Sequence, residues 1–212
     1  MKRLIFLLLL SLTAETSLAW GPKGHDIVAY IAECNVNKRV KAKVEAALGG
    51  HSFTYYSSWM DNIRNIPEYR HTATWHYANV DEGYTYETMP KNPNGDVLTA
   101  VTLTVEKLKS HDLTPEEENI YLRYLIHLVG DLHCPMHAGH LSDLGGNTIK
   151  VKWFGREVKL HALWDDLMLD NVRKWSYTEW QREIDRCTPK EREQIASCLL
   201  YTSDAADELD GV

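Results

Sequence analysis

The stretch from Thr114 to His137 constrains the fold more than any other part of the chain. Thr114-Pro115-Glu116-Glu117 combines a hydroxyl cap, a proline at the first helical position and a glutamate three residues after the cap, which together write a helix start. Apolar residues then recur at three- and four-residue spacing as far as Leu132, and Pro135 turns or ends the helix. On that helix His127 and Asp131 stand four residues apart. They stack on one face, close enough to hold one cation or two adjacent ones. The turn at Pro135 brings His137 back towards the same region.

Helical periodicity continues over 26–34, 37–48, 55–63, 97–110, 161–170 and 176–186, so the predicted class is mainly α, a single multi-helix domain. The one strand-like segment is 148–153, where Ile149, Val151 and Trp153 alternate with polar residues after Gly145-Gly146-Asn147. It predicts a small β-hairpin near 148–160 with the residues around Val158. No internal repeat or low-complexity linker interrupts the pattern.

A second pair, His161 and Asp165, repeats the four-residue spacing on another predicted helix. Either pair alone is more often a solvated ion pair than a ligand set. Two pairs, joined by His25, Asp61 and His76 beside apolar or aromatic residues, favour metal binding. Imidazoles and carboxylates without a thiolate suit a hydrolytic zinc site better than a structural one.

The motif order is specific. Trp20-Gly-x-x-Gly-His25, Trp59-Met-Asp61-Asn-Ile-Arg64, Trp75-His76-Tyr-Ala-Asn-Val80, His127-x-x-x-Asp131 with Pro135-x-His137, Asp143-x-Gly-Gly-Asn147 and Leu160-His161-x-x-Trp164-Asp165 resemble the motif series of the S1/P1 nuclease family. The resemblance runs from Trp20 to about Asp170. It implies the phospholipase C/P1 nuclease-like fold, three zinc ions, and hydrolysis of single-stranded DNA and RNA, with 3′-nucleotides as further substrates, to 5′-phosphorylated products.

By the same resemblance, one ion is held by Asp61, His76, His127 and Asp131, and a second by His137, His161 and Asp165. The third is held by His25, Asp131 and the α-amino nitrogen and carbonyl oxygen of Trp20. Asp131 then bridges two ions, which a carboxylate with two oxygens can do and an imidazole cannot. Asp61 and Arg64 are implied as the catalytic pair, one holding metal and water, the other gripping phosphate with its planar fork. Tyr77 matches the aromatic on which a base stacks, and Asn79 a position that bonds the base edge, although fungal relatives carry an acid there, which leaves base preference open. Cys134 stands where relatives carry glutamine; it is read as a small buried filler, with metal binding or oxidation as the alternative. His51, His71, His111, His133 and His140 match no ligand position and are read as surface or structural residues.

The remaining features frame this reading. Residues 1–19 have the basic, apolar and small-residue regions of a secretory signal, so Trp20 is the expected mature N-terminus and a secreted or periplasmic monomer without a membrane span is expected. The net charge is −7; residues 1–19 carry Lys2, Arg3 and Glu15, a net +1, which leaves −8 for the rest. That is the wrong sign for binding nucleic acid through a basic patch, unless bound metal ions supply the positive field. Residues 198–208 resemble the conceptual translation of a sequencing adaptor. The natural domain is therefore expected over 20–197, with a truncated C-terminus and a foreign tail at 198–212. Cys34, Cys134, Cys187 and Cys198 include no Cys-x-x-Cys pair and are candidates for disulfide pairing only. The competing functions are a zinc phospholipase C acting on phospholipid head groups and a non-catalytic exported zinc-binding protein.

Overall fold

Helix α5 (Pro115–Leu132) forms where the sequence writes it. The Thr114 hydroxyl accepts from the Glu117 amide, and the Glu117 carboxylate accepts from the Thr114 amide at 2.9 Å, closing a capping box. Its buried face is Tyr124, His127, Leu128 and Asp131, a three-and-four spacing in which core and chemistry share one stripe. The computed structural model that shows this describes residues 21–194. The expected signal at 1–19, Trp20 and the tail at 198–212 with Cys198 lie outside them.

Two hydrophobic clusters clamp α5. Met60, Ala78, Val97, Ala100, Tyr124 and Leu128 form one, and Ala29, Leu48 and Phe53, with Leu122 and Ile126 packed on them, form the other. Leu128 is fully buried, so truncating it to alanine would cost about 2–5 kcal/mol. The first cluster joins α5 to α3 (Trp59–Ile63) and α4 (Val97–Ser110); the second joins it to α1 (Pro22–Asn35) and α2 (Lys38–Ala47). Asn37 caps α2 by accepting from the Val40 amide, and Asp96 caps α4 through Thr99. These caps explain why the sequence-derived bounds of α2 and α4 agree with the structure.

The periodicity over 55–63 is not one helix. A 3₁₀ turn at Thr54–Tyr56 precedes α3, with Ser57 and Ser58 between. The Ser57 hydroxyl donates to Asp26 at 2.6 Å and to the Thr54 carbonyl at 3.0 Å, the local competition by which serine interrupts helices. The segment between α3 and α4 is largely irregular, apart from a 3₁₀ stretch at Pro67–Thr72.

Strands β1 (Lys150–Trp153) and β2 (Arg156–Lys159) form the expected hairpin, with Val151 opposite Val158. Both turn residues, Phe154 and Gly155, have positive φ, as two-residue hairpin loops require. Directly after β2, α6 (Leu160–Ala162) passes through a π-helical turn (Leu163–Leu167) into α7 (Met168–Asn171), so the helix read over 161–170 is widened in its middle. Helix α8 (Tyr177–Ile184), capped by Ser176, packs on α1. Among the described residues no helix is long and apolar enough to cross a membrane. Cys34, Cys134 and Cys187 are free thiols, so no disulfide forms among the described residues.

Candidate metal centre

Helix α5 contributes His127 and Asp131, both fully buried. From α1, His25 lies flat on His127, ring centroids 4.1 Å apart and 16° from parallel. The approach depends on Gly130, where a Cβ would meet His25 Nδ1 at 2.3 Å. A glycine inside a helix costs about 1 kcal/mol relative to alanine, and here it makes room for an imidazole. Asp61 comes from α3, and His76 from the irregular segment that follows.

Asp131 divides its two oxygens. Oδ2 lies 3.0 Å from His76 Nδ1 and 3.2 Å from His127 Nε2, while Oδ1 lies 3.4 Å from His25 Nε2 and 3.2 Å from His137 Nδ1. Asp61 repeats the division at 3.9 Å, with Oδ1 towards His76 and His127 and Oδ2 towards His25. His76 Nδ1 and His127 Nε2 are 3.1 Å apart. Donors about 2.0–2.1 Å from a tetrahedral zinc lie about 3.3 Å from one another, and the separations here, 3.0 to 3.9 Å, bracket that value.

A second group adjoins the first. Asp165 Oδ2 is 2.9 Å from His161 Nε2, and Oδ1 is 3.6 Å from His137 Nε2 and 3.0 Å from Cys134 Sγ. Pro135 opens the 3₁₀ turn Pro135–Ala138 that returns His137 to the cluster. Three imidazoles are braced by backbone: His127 Nδ1 donates to the Ser57 carbonyl at 2.8 Å, His137 Nδ1 to that of His76 at 2.7 Å, and His161 Nδ1 to that of Gly145 at 2.7 Å. Each such bond fixes the tautomer and leaves Nε2 free to ligate.

The polar atoms left over are informative. His25 Nε2, Asp61 Oδ1, Asp131 Oδ1 and Asp165 Oδ2 are buried without a hydrogen-bond partner. A buried unpaired polar group costs about 1–3 kcal/mol, so four of them among these imidazoles and carboxylates fit cations as the missing partners. The groups whose donor atoms converge are His25, His127 and Asp131; Asp61, His76 and His127; and Cys134, His137 and Asp165. Protons respond to the same field. Burial alone raises the carboxyls of Asp131 and Asp165, but imidazoles outweigh it, chiefly His127 for Asp131 and His137 for Asp165, and hold both below the ordinary value. Burial disfavours a charged His137, yet the carboxylates of Asp131 and Asp165 beside it push it up to about 10.

An open cleft of about 410 Å³ lies against this cluster, lined among others by Arg64, Tyr77, Asn79, Leu144, His137 and His161. The Tyr77 ring is 38% exposed, and Asn79 Oδ1 is buried without a partner. Every expected site residue within 21–194 therefore lies in the cluster or on the cleft wall. Trp20 lies outside the described residues; its neighbour Gly21 donates its amide to the Asp165 carbonyl at 3.0 Å. The remaining histidines are exposed, as read: His71, His133 and His140 bond backbone carbonyls, His51 stacks on Tyr55, and His111 ends α4. The sequence reading missed the brace carbonyls and Gly130, though a lone glycine in a strongly patterned helix is a usable signal. It also missed Asp166, which fills the space that a Cβ on Gly21 would take. Burial first, then the charges of Asp165, Asp170 and Asp61, push Asp166 up to about 6.

Comparison with known proteins extends the picture. The family model described as S1/P1 Nuclease matches residues 20–208. Endonuclease 5 of Arabidopsis thaliana is 30% identical, over 96% of this chain and 80% of its own. Endonuclease 3 of Arabidopsis thaliana is 30% identical over 82% of this chain, and Nuclease P1 of Penicillium citrinum is 28% identical over 75%. The chain spans 63% of the former and 65% of the latter, less than two thirds of either.

Proposed function

This chain belongs to the S1/P1 nuclease family, and from that premise we propose that it is a zinc-dependent phosphodiesterase that cuts single-stranded DNA and RNA, and 3′-nucleotides, leaving 5′-phosphates. The observation that carries the reading is the division of Asp131 Oδ1 and Oδ2 between two sets of imidazoles, the arrangement a carboxylate adopts between two cations. Three ions would be held: one by Asp61, His76, His127 and Asp131, one by His137, His161 and Asp165, and one by His25, Asp131 and the amino end of Trp20. When bound, such ions supply hydroxide from water near neutral pH and offset charge on a leaving oxygen.

The chain's own groups do the rest. Asp61 accepts a hydrogen bond from the attacking water and aims it at phosphorus. Arg64, on the cleft wall, grips the phosphate through its planar fork. Attack opposite the 3′ oxygen leaves the phosphate on the 5′ side. Tyr77 stacks a base and Asn79 reads its edge; stacking needs an unpaired base, which accounts for the single-strand preference. A secreted or periplasmic monomer is the proposed form.

The test uses protein beginning at Trp20 and pairs metal analysis with hydrolysis of single-stranded DNA and of a phosphatidylcholine analogue. Three zinc ions and chelator-sensitive DNA cleavage support the nuclease. Cleavage of the lipid alone assigns a phospholipase, and bound zinc with neither activity assigns a zinc-binding protein.

A further inference from the structure

We propose that Cys134 is a protein ligand of the ion assigned to His137, His161 and Asp165, giving that site two nitrogens, an oxygen and a sulfur. The inference rests on the metal centre proposed above and adds a donor to it. Cys134 is fully buried, and its Sγ lies 3.0 Å from Asp165 Oδ1. Sulfur, a His137 nitrogen and an Asp165 oxygen all lie within 4.8 Å of one another. Asp165 Oδ2, on the same carboxylate, is buried and has no hydrogen-bond partner.

The backbone fixes the thiol in this place. The Cys134 amide donates to the Asp131 carbonyl at 3.0 Å, and the Cys134 carbonyl accepts from the His137 amide at 3.0 Å. Cys134 is thus pinned between two residues of the centre, in extended conformation just before Pro135. On coordination the S–H bond gives its proton to solvent and the sulfur donates an electron pair to the ion. A thiolate makes the site softer than its neighbours, favouring zinc over magnesium, calcium or manganese. With Cys134 the site would have four protein donors, the number a tetrahedral zinc takes.

Zinc-edge X-ray absorption on the zinc-loaded protein beginning at Trp20 tests this. The wild type is expected to show a sulfur shell at about 2.3 Å, amounting to one sulfur among three zinc ions. Cys134→Ser should remove the shell and weaken one ion by at least about 10-fold, while a Cys34→Ser and Cys187→Ser double variant retains it. Should Cys134→Ser not fold, the wild-type spectrum still decides. Bound zinc without sulfur, or a shell that survives in Cys134→Ser, overturns the inference and leaves the proposed function standing. A protein that binds no zinc overturns both.

Discussion

The two sides of the cluster are built differently. Around Asp131, the donors come from helices α1, α3 and α5 and from His76, and two carboxylates each face several imidazoles with separate oxygens. Around Asp165, the donors come from the Pro135 turn, from the short helix α6 and from the π-helical turn, each imidazole is held by a backbone carbonyl, and a thiol is present. The first side depends on helices packed closely enough for a carboxylate to be shared. The second depends on short loops whose carbonyls point correctly. Substitutions should therefore act through sharing on one side and through loop geometry on the other.

The largest effect is expected from Asp131→Asn. An amide keeps the size but not the charge, so two ions should be lost, and hydrolysis of single-stranded DNA should fall by more than the roughly 10–100-fold that loss of a supporting partner costs. Metal content and kcat measured together check this, and loss of a single ion would break the sharing. Gly130→Ala comes next. Its Cβ would meet His25 Nδ1 at 2.3 Å, so one ion should be lost and activity should fall about 10–100-fold. The metal-free variant should also melt lower, because displacing the buried His25 ring costs about 1–3 kcal/mol against a helix-propensity gain of about 1 kcal/mol. Titration calorimetry and thermal melting separate the two.

The smallest effect concerns pH in metal-free protein. His137 is raised from its ordinary 6.5 to about 10, so its contribution is fully present below about pH 6.5 and is lost as pH rises through the folded value, on the order of a few kcal/mol. Asp131 and Asp165 are depressed, so their contribution is present above the ordinary carboxylate value and is lost in acid. Melting temperature should decline from pH 6.5 to 10 with chelator present. Zinc-loaded protein, whose ligating imidazoles stay neutral, should show no such decline.

The sequence revealed the side-chain chemistry better than its support. Helices α4 and α5 were legible to the residue because Asp96 and Thr114 are caps with side-chain signatures. The ligands were legible because His and Asp recur at spacings that a helix converts into proximity. The carbonyls of Ser57, His76 and Gly145 that orient the imidazoles were not, since a backbone acceptor is the same in every residue. The π-helical turn at Leu163–Leu167 was invisible because no glycine or proline marks it, yet it carries Asp165. From sequence Cys134 is indistinguishable from a filler, because a buried cysteine packs like a small apolar residue, and only its 3.0 Å approach to Asp165 Oδ1 singles it out.

The most direct test is anomalous diffraction at the zinc edge from crystals of the protein beginning at Trp20. The account predicts three peaks, two flanking the Asp131 carboxylate and a third among His137, His161 and Asp165. A single peak, or none beside Asp131, would contradict it.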